Sequence, residues 1–395
     1  MKVAWRVLRT EGLLAVRDRA LDRLAEARRR RSFPPAPPGW RPEPVRVLQL
    51  SATPPAPRLG GVQAHLLRSL GAGSTLLYPE AGGWRLEVQG KSMTFPGAPP
   101  SPVALEDAAF EEAVRSAAGL LGAGAVHVEG LAGLPPGSLL RLRRQGLDLS
   151  LALHDFAAFC PRPHLLEHPQ LRFCWYSRDL ARCGRCLRQD WPVEDAYQAQ
   201  RRAISAELLA GASALIFPSE FLLRTYAELF PELPPERQRI VAPTGGIAPP
   251  SPRNPGPVRH VALVGGVKAH KGALVFEEVV RRMQGQGLRW SAYGGGDPEL
   301  LARLRRLPVR VRGYYRSGTL PRLLRRDGVD LALLLSIVPE SYNLVLDECA
   351  AAGVPVVAFD LGAVGERLRS GQLVPLAEGA EGIVRAMSLL QSASL

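Results

Sequence analysis

Long apolar runs are missing from this 395-residue chain. The strongest, Val329 to Val338, is interrupted by Asp330 and is about half the roughly 20 residues that a membrane-spanning helix needs. A secretory signal is missing too, because Arg6, Arg9, Glu11, Arg17 and Asp18 break every apolar core in the first twenty residues. The protein is therefore expected to stay in the cytoplasm where it is made. Cysteine is scarce, five in all, an odd number that argues against a disulfide framework and for reduced thiols or metal ligands. Low-complexity tracts are absent, since the 39 glycines and 36 prolines fall at the ends of apolar runs, where turns are expected. The triple glycine Gly294–Gly296 lacks the Gly-x-Gly-x-x-Gly spacing, which removes the main argument for nicotinamide chemistry. No paired acids stand in a loop suited to a divalent metal, and no Ser-His-Asp arrangement is visible.

Acidic residues are outnumbered, 37 against 50 Lys and Arg, for a net charge of +13. Much of the excess lies in residues 1–46, which hold twelve basic and five acidic residues. Val3, Val7, Leu13, Leu14, Leu21 and Leu24 share one side of a helical wheel that Arg6 and Arg17 interrupt. Two readings stay open, a basic amphipathic helix lying on anionic lipid and a solvated helix packed on the protein's own surface. Nucleic acid ranks below both, because no aromatic-interleaved basic strand accompanies the charge. Residues 1–44 are accordingly read as a basic leader ending in the Pro-rich connector Ser32 to Pro44.

Beyond it, short strand-like runs alternate with helix-like stretches. Val45 to Ala52, Thr75 to Pro79, Ala125 to Glu129, Leu149 to His154, Ala214 to Pro218 and Ile240 to Ala242 fall within residues 45–245. Residues 246–257 read as a linker, after which Val258 to Val264, Leu288 to Tyr293, Val309 to Tyr314, Asp330 to Leu335 and Pro355 to Phe359 restart the pattern over 258–395. The expectation is α/β, two doubly wound Rossmann-like domains in series that face a cleft at the carboxyl ends of their strands.

Chemistry concentrates in PESYNLVLDECAAAGVPVVAFDLGAVGE, residues 339–366. Glu340 follows a buried strand, Glu348 comes eight residues later, and a helical register runs between them. Such a segment offers two carboxylates to sugar and ribose hydroxyls and a helix N-terminus to a diphosphate, the three parts of a sugar nucleotide. These residues resemble the group 1 glycosyltransferases of GT-B fold, retaining enzymes that use nucleotide sugars, and the resemblance covers about residues 45–385. It implies that Glu340 holds donor-sugar hydroxyls, that the backbone at Tyr342, Asn343 and Leu344 meets the diphosphate, and that Glu348 holds the ribose. The family more often has Gly where Asn343 stands. It also implies a phosphate-approaching loop at Gly60 and Gly61, and a diphosphate-neutralising cation at Lys271. Gly266 stands where the family usually has Arg, which leaves Lys268 as its stand-in. His154 would meet the transferring sugar or the acceptor, and the departing diphosphate itself would take the acceptor proton, so no base and no catalytic cofactor are assigned.

Cys160, Cys174, Cys183 and Cys186 fall within 27 residues, the last two as a Cys-x-x-Cys knuckle. Four soft ligands suit a structural zinc, with His164 and His168 as alternates, and the bland alternative is reduced thiols in a loop. A similar cysteine-bearing insertion occurs in some members of the family. Cys349 reads as a small core residue. The function expected is a retaining transferase that moves a sugar from a nucleoside diphosphate to a hydroxyl of a saccharide or lipid-linked saccharide in cell-surface polysaccharide assembly, on a cytoplasmic or peripheral inner-membrane face. The alternatives are a non-catalytic sugar-nucleotide or glycan-binding protein and a nucleotide-sugar epimerase of the same fold.

Overall fold

The computed structural model describes residues 2–56, 61–62, 66–67, 70, 73–243, 257–368 and 371–392. The chain divides into two compact units, the first Glu26–Pro243, the second Met1–Ala25 together with Thr244–Leu395. No described helix is long and apolar enough to cross a membrane.

The chain begins with helices α1 (Lys2–Glu11) and α2 (Leu13–Ser32). The first unit is then built on an eight-stranded sheet in the order β10-β9-β6-β5-β1-β2-β3-β4. Its strands are β1 (Val47–Leu50), β2 (Leu76–Glu80), β3 (Gly83–Val88), β4 (Lys91–Phe95), β5 (Ala125–Glu129), β6 (Asp148–Ala152), β9 (Ala214–Phe217) and β10 (Gln238–Ile240), and a separate two-stranded hairpin holds β7 (Leu166–Glu167) and β8 (Arg172–Phe173). Pairing is parallel from β10 to β2 and antiparallel through β3 and β4. Helices α3 (Ala108–Leu121), α4 (Pro136–Arg144), α5 (Leu180–Leu187), α6 (Tyr197–Gly211) and α7 (Glu220–Leu229) complete it. The β3–β4 hairpin was not legible as strands, because its turn is Gln89-Gly90 and not the usual Asn-Gly, although both residues take the positive φ that such a turn requires.

The second unit carries a wholly parallel sheet in the order β13-β12-β11-β14-β15-β16. The strands are β11 (His260–Val264), β12 (Arg289–Tyr293), β13 (Val309–Gly313), β14 (Leu331–Leu334), β15 (Val356–Phe359) and β16 (Gly371–Val374). Around them lie α8 (Ala273–Arg282), α9 (Pro298–Arg305), α10 (Leu320–Asp327), α11 (Leu344–Ala352), α12 (Ala363–Arg367) and α13 (Gly379–Ser392). Successive strand residues serve opposite faces. Val261, Leu263 and Leu333 enter one core cluster, Ala262, Val264, Ala332 and Leu334 the other. Cys349 is fully buried in the second cluster, as expected. In chain order the sheet runs 3-2-1-4-5-6, the doubly wound topology whose switch point lies between its first and fourth strands, here β11 and β14.

Residues 1–25, read from the sequence as part of a leader, belong to this unit. The wheel gathered the leucines on one side and left open whether that side packs on the protein or faces outward; in α2 it faces outward. Asp18 and Asp22 are buried, while Leu13, Leu21 and Leu24 are exposed. The reason is the edge strand β13 and the residues just after it, which present Arg312, Tyr314 and Arg316. Asp18 pairs with the buried Arg312 at 2.5 Å, Asp22 accepts from the Tyr314 hydroxyl at 2.5 Å and pairs with Arg316 at 2.9 Å, and Glu11 accepts from the Tyr314 amide at 2.9 Å. Polar groups at and just after this sheet edge are thereby partnered by carboxylates of α1 and α2.

Asp18→Ala would leave the Arg312 guanidinium buried without its carboxylate, at a cost of about 3–5 kcal/mol. A large fall in melting temperature is expected, much of it recovered in the Asp18→Leu/Arg312→Leu double variant. A single variant that melts like the wild type contradicts the packing described.

Candidate active site

The sheet of the second unit places two loops side by side at its switch point. One leaves β11 and turns into α8; the other leaves β14 and turns into α11. Gly272 allows their approach, since a Cβ there would stand 1.9 Å from the Leu335 carbonyl oxygen. The His270 carbonyl then accepts from the Ile337 amide at 2.9 Å and from the Ser336 hydroxyl at 3.2 Å. At the end of this seam the Lys271 ammonium forms an ion pair with the Glu340 carboxylate. Lys271 keeps a third of its side chain exposed, and Glu340 is more buried at 14%. The Glu340 backbone is fixed as well, because its carbonyl accepts from the Ala363 amide at 2.8 Å at the start of α12. Gly362, with φ of 66°, lets that strand pass, for a Cβ there would meet the Glu340 nitrogen at 2.6 Å.

Asn343 sits at the N-cap of α11 with φ of 68°, and its side-chain oxygen accepts from the Leu346 amide at 3.1 Å. This explains the departure from the family's glycine, because Asn is the residue that best combines a left-handed backbone with an N-cap hydrogen bond. Leu344 opens the helix, so the backbone around Tyr342, Asn343 and Leu344 lies at the positive end of its dipole. Tyr342 is buried beneath the Arg367 guanidinium, 3.5 Å from the ring centroid, and Arg367 also pairs with Asp347. Arg367 was not singled out from the sequence, since it lies 25 residues from Tyr342 with no local pattern to tie them. Glu348, one turn into α11, accepts from the Gly318 amide at 3.2 Å in the loop after β13. Lys268 is exposed, and its stem lies within 3.8 Å of where a Gly266 side chain would begin. The space above Gly266 is thus within reach of Lys268.

In the first unit His154, two residues beyond β6, is buried and its Nε2 lies 2.6 Å from Glu129 Oε1. Glu129 also meets His127 at 3.1 Å; the two alternate on one face of β5, a pairing the sequence reading missed because His154 comes from the neighbouring strand. Burial pushes the Glu129 carboxyl up, but the two histidine hydrogen bonds outweigh it and hold it down at about 2. Its stabilising contribution is therefore complete above the ordinary carboxylate range and is lost as pH falls towards about 2. His154 Nδ1 is buried without a hydrogen-bond partner, which leaves one ring nitrogen uncommitted. Gly61 has φ of 98°, as a turn requires, whereas Gly60 lies outside the described residues.

The four clustered cysteines line one small cavity of about 20 Å³ in the first unit. Backbone N–H groups of Arg162 meet Cys160, those of Tyr176 and Ser177 meet Cys174, and that of His168 donates to Cys186 at 3.3 Å. Arg202 donates to Cys183 at 3.5 Å, while the Cys183 thiol donates to the Ser177 carbonyl. As they stand, no three of the described His, Cys, Asp or Glu side chains are placed to hold a metal ion. The His168 ring is paired with Asp190 at 3.1 Å.

Residues 258–392 match the family described as glycosyl transferases group 1. No curated protein sequence matches the chain. Among solved structures, sucrose-phosphate synthase from Thermosynechococcus elongatus superposes with a TM-score of 0.57 at 14% identity, over 89% of this chain and 90% of that one. The Anabaena protein HepE, in complex with UDP, gives 0.56 at 14% identity over 89% and 94%. A glycosyltransferase from Rickettsia africae gives 0.53 at 14% identity over 89% and 88%. At this identity the likeness shows the fold, which is the GT-B type.

Asn343→Gly is expected to keep the fold, since glycine accepts the same φ. Asn343→Val loses the cap, worth about 1 kcal/mol, and strains a left-handed position by about 1–2 kcal/mol more. Thermal unfolding separates the two, and equal melting temperatures would contradict the assigned role.

Proposed function

We propose that this protein, a GT-B glycosyltransferase whose residues 258–392 form a group 1 domain, is a retaining enzyme that moves a sugar from a nucleoside diphosphate to a hydroxyl of a saccharide or lipid-linked saccharide. The observation that carries the reading is the Lys271–Glu340 pair at the switch point, beside the N-terminus of α11. Lys271 and the first-turn amides of α11 suit a diphosphate, and Glu340 suits sugar hydroxyls. On donor binding Lys271 turns to the diphosphate and frees the Glu340 oxygens to accept from the sugar. Glu348, which already accepts an amide hydrogen from the next loop, is assigned to the ribose, and Lys268 to the place of the missing arginine. His154, oriented by Glu129 and with Nδ1 uncommitted, is assigned to the transferring sugar or the acceptor.

In the transfer the bond from the anomeric carbon to the diphosphate oxygen breaks, and the bond to the acceptor oxygen forms on the same face. The acceptor proton goes to the departing diphosphate, whose charge Lys271 and the helix dipole stabilise. Assembly of a cell-surface polysaccharide, carried out in the cytoplasm, fits an acceptor of this kind. Asn343 gives little support to a non-catalytic reading, because its conformation reproduces what glycine would supply.

For the cysteine loop we propose a structural zinc held by Cys160, Cys174, Cys183 and Cys186. N–H groups directed at each sulfur suit thiolates, and the four side chains line one cavity of the size of one ion, so these residues would hold the metal and it would tie the loop together. The purified chain should carry about one zinc per molecule, reduced in Cys183→Ser/Cys186→Ser; metal-free protein with unchanged stability would overturn this.

Glu340→Gln preserves the volume of the side chain and removes its charge. Transfer should fall by about a hundredfold or more with little change in melting temperature, read as nucleoside diphosphate release with a glycan acceptor. Wild-type turnover in that variant would sink the site assignment.

A further inference from the structure

The N-terminal helices leave an unusual surface on the second unit. On α2, Leu13, Arg17, Leu21 and Leu24 recur at three- and four-residue spacing, and all four are exposed, Leu13 at 72% and Leu24 at 56%. On α1, Trp5 is 60% exposed with the Arg9 guanidinium 4.7 Å from its ring, and Leu8 and Arg6 are exposed beside it. Single exposed leucines are ordinary. A helix face that shows three leucines to solvent, beside an exposed Trp and Leu of the preceding helix, is not, and exposed apolar residues grouped in this way mark an interaction surface.

Beside this surface lies a cavity of about 260 Å³ between α2 and α10. Arg17, Arg312, Arg316 and Arg322 line it, with Thr319 and Leu21 at its wall. Asp18 is the carboxylate in that lining, held by Arg312 and Arg17, and Asp22 holds Arg316. Four guanidiniums and one carboxylate therefore line the cavity, and Arg322 is exposed. The cavity is positive, open and large enough for a phosphate ester.

We propose that this surface docks on an anionic phospholipid bilayer, with Trp5, Leu8, Leu13, Leu21 and Leu24 entering the interface and the arginine-lined cavity taking a headgroup phosphate. Charge complementarity selects the occupant. Arginines interleaved with leucines on one helix face suit lipid phosphates above an acyl boundary, and an indole flanked by a guanidinium suits the interfacial layer. The proposal stands on this surface alone, so its failure leaves the transfer reading intact.

The test is co-sedimentation of the full chain with phosphatidylcholine vesicles made with and without phosphatidylglycerol, at low and high salt. The wild type should bind the phosphatidylglycerol vesicles, weakly or not at all the neutral ones, and should be released by salt. Arg322→Gln should weaken binding about fivefold, and Leu13→Glu/Leu24→Glu should abolish it, with melting temperature and donor hydrolysis unchanged in both. Equal binding to both vesicle types, or wild-type binding by the double variant, overturns the proposal. So does stabilisation by inorganic phosphate without vesicle binding, which would make the cavity a site for free anions.

Discussion

The contact between Lys271 and Glu340 depends on almost everything else in the second unit. A parallel sheet whose strand order reverses between β11 and β14 leaves two loops adjacent at one end that run on to opposite faces. Gly272 and Gly362 remove the side chains that would hold those loops apart. Both charged groups retain some exposure, so the pair is a modest source of stability and is open to exchange. An ion pair that a diphosphate can replace on one side and a sugar on the other keeps each charge partnered before and after binding, which avoids leaving a bare charge in a half-buried site.

The same principle governs the N-terminal helices. Arg312, at 6% exposure, cannot be buried alone, and the carboxylates of Asp18 and Asp22 are drawn inward to Arg312, Tyr314 and Arg316. The leucines are left outside as a consequence. One electrostatic requirement at a sheet edge thus accounts for both the attachment of residues 1–25 to this unit and the apolar, basic surface they display.

What could be read from the sequence followed from how local each signal is. Parallel strands buried on both faces appear as apolar runs, so the restart of the pattern at Val258 and the strands β11 to β15 were visible. Glu340 and Glu348 could be singled out because the roles proposed for them rest on spacing within one loop and one helix. The β3–β4 hairpin was hidden by a Gln-Gly turn, and the Glu129–His154 bond joins neighbouring strands 25 residues apart. Which face of α2 packs was left open by the sequence, because Arg312 and its neighbours, which draw Asp18 and Asp22 inward, lie some 290 residues away. Asn343 stood out as a departure until its left-handed φ showed that the departure keeps the backbone.

The most direct measurement is thermal stabilisation by UDP-, GDP-, ADP- and dTDP-sugars of the wild type and Lys271→Met. If the switch-point pair receives the donor diphosphate, one nucleotide sugar stabilises the wild type and has no effect on Lys271→Met. Stabilisation of Lys271→Met equal to that of the wild type, or no stabilisation of the wild type by any nucleotide sugar, would contradict the account.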